Sequence, residues 1–448
     1  MEIEFLPNNT HLETPETFKA TDPHLRRMFK QKHIFHSPII NQLPTEIPGI
    51  YNLGGGRQIG KTTLLKQWML QLLQSGTTPS AIAFLSCELI VDEKSLYRIV
   101  INQLSNMPTS GMRYLILDEI TYVLNWDKAI KYLADTGAFE EIVVVISGSD
   151  LVMMQAARKC FPGRRGTAAT VDFHYYPLSF QECLQLKNIT TDNIATLFAE
   201  FNNYLIHGGF LTAINEYAIT NTISQNTLAT YSDWIRGDVI KHGKKEYYLR
   251  ELAHAIIKHY SSQTSWRNLA SSLSVDHAQT AIDYITLLES MDAVFVQAAL
   301  LEDKLVAAPK KQRKFMFCDP FIFHAMRAWL SPIKDPFTEQ ILPAIADPQL
   351  SSLLVESCVT THFRRYYPTY YIKASNEVDI AYVDHQKFWP IEIKWTTQIR
   401  PNDIKQILKY NNGQIWAKVL QEGNIEKTPI QPLPLMLATY FKSKTSIS

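Results

Sequence analysis

The stretch Gly55-Gly56-Arg57-Gln58-Ile59-Gly60-Lys61-Thr62 fits GxxxxGK[ST] in full, and no other part of the chain restricts its fold as strongly. The pattern carries chemistry only between a strand and a helix. The short apolar run Ile50-Tyr51-Asn52-Leu53 precedes it, and helical periodicity from Lys61 to Leu73 follows. In that setting the glycines let the backbone curl, so that N–H groups from Gly55 to Gly60 face a phosphate. Lys61 supplies a cation for the β- and γ-phosphates, and the Thr62 hydroxyl suits Mg²⁺. With Thr63 these residues make the expected ATP cradle. A glycine turn capping an ordinary helix is the competing reading, and the complete match in this context disfavours it.

A second half-site follows. Tyr114-Leu115-Ile116-Leu117 is an apolar strand that ends in Asp118 and Glu119. Asp118 is expected to hold Mg²⁺ and Glu119 to act as general base on the attacking water. One strand later, Ile142 to Ile146 leads into Ser147-Gly148-Ser149. Parallel strands end on one edge of their sheet, so Ser147 or Ser149 is expected near the nucleotide as a γ-phosphate sensor. A helix N-cap is the alternative. The loop Gly163-Arg164-Arg165-Gly166 offers an arginine finger, with Arg164 as the candidate; a solvated basic loop fits equally well.

Strands alternating with helices over this region imply an α/β P-loop core with a parallel sheet. The boundaries read as an N-terminal segment 1–45, an ATPase core 46–180, a helical lid 181–240, a winged-helix domain 241–313 and a C-terminal domain 314–448. Residues 22–35 suit a basic helix. Helices over 246–260, 266–273 and 276–290, then short strands at 294–296 and 305–306, give the winged-helix pattern. The candidate recognition helix carries Asp276, Asp283 and Glu289 and no Lys or Arg, which argues against major-groove reading. Lys310, Lys311, Arg313 and Lys314 read as a basic or merely solvated edge of the wing.

A formal net charge of +1 excludes a chain-wide polyanion glove, and five scattered cysteines without a CxxC pair read as reduced core thiols. The acidic N-terminus lacks a signal pattern, and no apolar run approaches the roughly 18 residues that span a bilayer. A cytoplasmic protein without membrane contact is expected.

The C-terminal domain has its own constellation. Glu377-Val378-Asp379 opens one strand, and Glu392-Ile393-Lys394 lies in another, with twelve residues between Asp379 and Glu392. Residues i and i+2 share a strand face, so Glu392 and Lys394 point the same way. If the strands pair, Asp379 and Glu392 can bind Mg²⁺ while Lys394 orients water or stabilises developing charge, the D…ExK arrangement for phosphodiester hydrolysis. Glu356, on a preceding helix, is the further metal candidate. A salt-bridged, solvated strand face is the competing reading.

In combination these stretches resemble the archaeal-type AAA+/STAND-like P-loop ATPases that end in a PD-(D/E)xK, restriction-endonuclease-like domain of unknown function. The matching segments are Gly54 to Gln67, Tyr114 to Ile120, Val143 to Asp150, Gly163 to Glu182, Tyr204 to Phe210, Arg313 to Pro320, Leu353 to Ser357 and Glu377 to Trp395. The resemblance implies an ATPase core, a winged-helix middle and a nuclease-fold C-terminus. The expected function is an ATP-hydrolysing switch controlling a nuclease-like effector. The alternatives are an ATPase-gated DNA- or protein-binding module with an inactive nuclease fold, and a nucleic-acid motor. ATP and Mg²⁺ are the expected cofactors. DNA, a second copy of the chain and another protein are the partner classes.

Overall fold

Every residue of β1 (Gly49–Gly54) is buried, and the strand lies between β4 (Ile142–Gly148) and β5 (Asp172–His174). With β2 (Ile82–Ser86) and β3 (Arg113–Asp118) they form a sheet of order β2-β3-β4-β1-β5, parallel throughout. The near-continuous Val, Ile and Leu runs of β3 and β4 are what a sheet covered on both faces requires. Because all five strands run the same way, β1, β3 and β4 deliver Gly54, Asp118 and Gly148 to one edge. The computed structural model describes residues 2–150, 154, 166–274 and 277–441 and divides the chain into two units, Met1–Tyr176 and Pro177–Ser448.

Two parts of the first unit depart from the sequence expectation. β5 has three residues and no periodic pattern. Asn52 donates to the Asp172 carboxylate at 2.8 Å and fixes it on β1. The N-terminal segment, polar in sequence, buries Phe5, Phe18 and Leu25. The expected helix over 22–35 is only Pro23–Met28, capped by Asp22, whose carboxylate accepts from the N–H groups of His24 and Leu25. The other Asp22 oxygen lies 3.4 Å from Lys66, on the helix that follows the glycine loop, so a buried ion pair anchors this segment.

In the second unit, helices Phe180–Leu186, Ile194–His207, Leu211–Thr220 and Gln225–Lys241 are followed later in the chain by Pro320–Leu330. Phe210 and Tyr231 set their rings against Phe321. The Gly208–Gly209 turn closes over Asp319. The Gly209 N–H donates to the carboxylate at 2.9 Å, and a Cβ on Gly208 would fall 1.7 Å from its other oxygen. Burial pushes Asp319 up to about 6.

Helices Glu246–Lys258, Trp266–Ala270 and Ala278–Ser290 lead into β6 (Val294–Ala298). The expected partner at 305–306 is not the partner found. β6 pairs antiparallel with β9 (Arg313–Phe317), while β7 (Leu300–Leu301) and β8 (Val306–Ala307) form their own small hairpin. β9 crosses the boundary drawn at 313/314. Helix Pro348–Arg364 then precedes a six-stranded sheet of order β10-β11-β12-β13-β15-β14. β10 (Thr369–Lys373), β11 (Glu377–Asp384) and β12 (Lys387–Lys394) are an antiparallel meander, and β13 (Gln414–Ala417) adds parallel to β12. β14 (Gly423–Ile425) and β15 (Thr428–Pro432) complete the sheet.

Cys87, Cys183 and Cys358 are buried free thiols, and Cys318 is free but only partly buried. Cys160 lies outside the described residues. Among the described residues no helix is long and apolar enough to cross a membrane.

Candidate functional site

At the edge where β1 ends, the chain passes through Gly55 so closely to its neighbours that a Cβ there would lie 2.3 Å from the Tyr175 carbonyl oxygen. Gly60 has φ +97° and caps the helix Lys61–Gln74 without any side-chain cap. The first N–H groups of that helix are therefore left for an anion, as a phosphate cradle needs. Lys61 donates to the carbonyls of Gly55 at 3.0 Å and Gly56 at 2.9 Å and lies 3.4 Å from Glu119. The lysine is thus folded back onto its own loop. Arg57 donates to the Tyr122 hydroxyl at 2.8 Å, Gln58 is exposed, Ile59 is buried, and Thr63 is half-buried in the first helical turn.

The metal half assembles around Asp118. Thr62 donates to Asp118 Oδ2 at 2.7 Å, and the buried Ser147 hydroxyl donates to Oδ1. Ser147 also accepts from the Glu119 N–H at 3.1 Å, while Ser149 donates to Glu119 Oε2 at 3.0 Å. The hydroxyl of Ser147, a candidate γ-phosphate sensor, thus bonds both Asp118 and the Glu119 backbone. Burial pushes the Asp118 carboxyl up, against the donors Ser147 and Thr62. Burial also works against the Glu119 carboxylate, but Lys61, Ser149 and Arg57 outweigh it and hold it below the usual range. Arg164 lies outside the described residues.

These features fit Mg²⁺ with a nucleoside triphosphate. A carboxylate and a hydroxyl converge where the ion belongs, and an uncapped helix start with a lysine faces the phosphates. The first unit is a P-loop nucleotide-binding fold with an acidic strand end beside the loop.

A second set of titratable groups lies wholly within the other unit. β11 and β12 are antiparallel neighbours, with Ile380 opposite Ile391. Asp379 and Glu392 flank that pair, so strand alternation puts Glu377, Asp379, Glu392 and Lys394 on one face. Asp379 Oδ2 accepts from the Ile393 N–H at 2.8 Å, between Glu392 and Lys394. Lys394 pairs with Glu392 Oε1 at 2.5 Å. Glu392 Oε2 is buried and has no hydrogen-bond partner among the described residues. Burial, then Asp379, pushes Glu392 well up. Lys394 is raised because Asp379 and Glu392 outweigh its burial.

Glu356 and Asp379 come together as expected, but the tightest group is Glu356, Glu377 and Asp379, each offering an oxygen within 4.8 Å of the others. Glu392 stands beside that trio, engaged with Lys394. Sequence reasoning missed two members, Glu377 and Lys314. Lys314 is not an exposed wing residue. It is 1% exposed and pairs with Glu356 at 2.7 Å, with Glu377, and with Asp379 at 4.0 Å. Burial works against its ammonium, but the three carboxylates hold its pKa above the ordinary lysine value. The available signal was a single lysine at the head of the apolar run Phe315-Met316-Phe317.

Comparisons with known proteins agree with the first unit. A family described as an AAA domain matches residues 48–184. That part of the chain is similar to AAA domains, in agreement with the P-loop geometry above, and the match supports ATP binding and hydrolysis there. A family described as a domain of unknown function matches residues 198–332. An uncharacterized protein of Haemophilus influenzae is 28% identical over 170 residues, 36% of this chain and 39% of that protein. One of Methanocaldococcus jannaschii is 27% identical over 259 residues, 54% of each chain. The matched regions thus span about half or less of the curated relatives' length. Among solved structures, a Walker-type ATPase of Pyrococcus abyssi aligns with TM-score 0.42 and 12% identity over 62% of this chain and 91% of that one. The Aeropyrum pernix ORC2 protein aligns with TM-score 0.34 and 11% identity over 73% and 96%.

Proposed function

We infer that this chain is an ATP-dependent molecular switch whose P-loop domain controls a nuclease-like effector built on strands β10–β13. The observation that carries the first half is the joint engagement of Asp118 by Thr62 and Ser147, with Glu119 held at the same edge. Bound ATP and Mg²⁺ would supply an activated phosphoryl group and a Lewis acid beside it. The chain's own part is positional. Lys61 would turn from the carbonyls of Gly55 and Gly56 to the phosphates, Thr62 and Asp118 would hold the ion, and Glu119 would accept the proton of the attacking water.

The second half rests on the helical Glu356, Asp379 on β11 and Glu392 and Lys394 on β12 facing one another. The unpartnered Glu392 oxygen and Asp379 suit a divalent cation, and Lys394 suits the charge that develops on a phosphodiester under attack. Helices 246–290 with the β6–β9 pair serve in this reading as a winged-helix adaptor. The test is nuclease assay of the purified protein with Mg²⁺ or Mn²⁺, with and without ATP, on single-stranded, duplex and branched DNA and on RNA. Cleavage lost in Asp379→Ala and Lys394→Ala supports the effector. Absence of cleavage in every nucleotide state hands the site to the second reading, a binding module with a silent nuclease fold. That reading is favoured by one observation, the lysine inside the acid trio.

A further inference from the structure

We propose that Lys314 is a built-in counter-cation that fills the Glu356–Glu377–Asp379 cluster and keeps a divalent metal ion out of it, so that β9 acts as a plug on this site. The inference deepens the effector reading and rests on it in one respect, that the cluster is a cation site.

The ammonium nitrogen sits among the same three carboxylates that offer a ligand atom each. A Mg²⁺ ion would take those oxygens at about 2.1 Å, which places it in the space the ammonium holds. Two cations in that space repel strongly in a buried setting. Occupation by Lys314 and by metal is therefore mutually exclusive. A second observation marks the place as one that takes a cation: Glu392 is 4% exposed, and its Oε2 has no donor among the described residues.

The plug is more than one side chain. Ser261, held at φ +52° after helix Glu246–Lys258, donates to Glu356 Oε1 at 2.8 Å. Gln263 donates to Glu377, and Gln297 on β6 donates to the carbonyls of Asp379 at 2.8 Å and Tyr370 at 3.0 Å. The backbone between them is tied to β9, since the Ser261 N–H donates to Phe315 and Thr264 exchanges two hydrogen bonds with Arg313. Three side chains from residues 261–314 thus engage the carboxylates of residues 356–379, and Gln297 holds the backbone beside them. Moving β9 would withdraw the lysine together with its neighbours and open the acids to metal and substrate at once.

The experiment is Mn²⁺ titration of the full-length, nucleotide-free protein, read by electron paramagnetic resonance as free Mn²⁺. The chains compared are wild type, Lys314→Met, Lys314→Arg and each with Glu356→Gln. The P-loop is unchanged throughout, so the Glu356-dependent part of binding reports this cluster. The expected result is a Glu356-dependent Mn²⁺ site in Lys314→Met at least about tenfold tighter than in wild type, and none in Lys314→Arg. Should Lys314→Met fail to unfold cooperatively, Lys314→Gln, which removes the charge but keeps a hydrogen-bond donor and all three carboxylates, takes its place with the same expectation. A Glu356-dependent site of equal affinity in wild type overturns the plug and leaves the effector reading standing. No Glu356-dependent binding in any folded variant overturns both the plug and the metal-binding reading of the cluster.

Discussion

Ser149 donates its hydroxyl hydrogen to a Glu119 carboxylate oxygen at 3.0 Å, which ties the end of β4 to the acid that follows β3. The other Glu119 oxygen lies 3.4 Å from Lys61. One carboxylate is thus shared between a β4 hydroxyl and the lysine of the glycine loop.

Lys61→Ala is expected to weaken ATP binding by about 10- to 100-fold, because charge-assisted hydrogen bonds of roughly 1.5–3 kcal/mol are lost. Isothermal titration calorimetry checks it. Unchanged affinity removes the phosphate role of Lys61.

Glu119→Gln is expected to bind ATP normally and turn it over about 10²–10⁴-fold more slowly, since the water loses its base. Phosphate release under saturating ATP is the measurement. A wild-type rate assigns Glu119 to structure alone.

Ser147→Ala leaves Asp118 Oδ1 and the Glu119 N–H each without its present partner in a buried place. Removing such a partner costs about 1–3 kcal/mol. The variant is expected to unfold more easily and to lose the Mg²⁺-dependent increment of nucleotide affinity, while affinity without Mg²⁺ stays unchanged. Equal Mg²⁺ dependence in both proteins counts against an indirect role through Asp118.

His362 is buried, with Nε2 accepting from the Phe180 N–H at 3.0 Å and Nδ1 donating to the Cys358 carbonyl at 2.7 Å. Burial, with Arg365 adding to it, lowers its pKa to about 3. The folded value lies below the ordinary value of about 6.5, so the unfolded chain takes the proton first. The stability from neutral His362 is complete above about pH 6.5 and is lost as pH falls towards 3. His362→Gln keeps a donor and an acceptor but cannot titrate. The stability advantage of wild type over it should shrink by up to about 1.4 kcal/mol per pH unit below about pH 6. Urea unfolding of both proteins from pH 7.5 to 4.5 reads the slope. Parallel stability curves would mean that His362 is not held neutral.

The P-loop, β3, β4 and the acidic strand end were legible because motif, apolar run and flanking helix agree over short stretches. β5 was not, because Asp172–His174 carries no pattern and owes its place to Asn52, far upstream. Lys314 was read as solvated for a similar reason. Its local context, Lys310-Lys311-Gln312-Arg313, is that of an exposed basic edge, and the acids that bury it come from a helix and a strand more than 40 positions later. Ser147 shows the complementary limit. The sequence placed it at the correct sheet edge, but which neighbour a hydroxyl chooses is decided by packing. Phe5 and Phe18 look peripheral among polar residues until their burial is seen.

The position of β1 bears on how the protein is made. Its two neighbours in the sheet are β4 and β5, which leave the ribosome roughly ninety and one hundred and twenty residues after it. Chains fold from the N-terminus as they are synthesised, at about 5–20 residues per second. The glycine loop and its strand therefore spend seconds without their sheet partners. During that interval the strand's unpaired backbone groups are open to chaperones and to pairing with another copy.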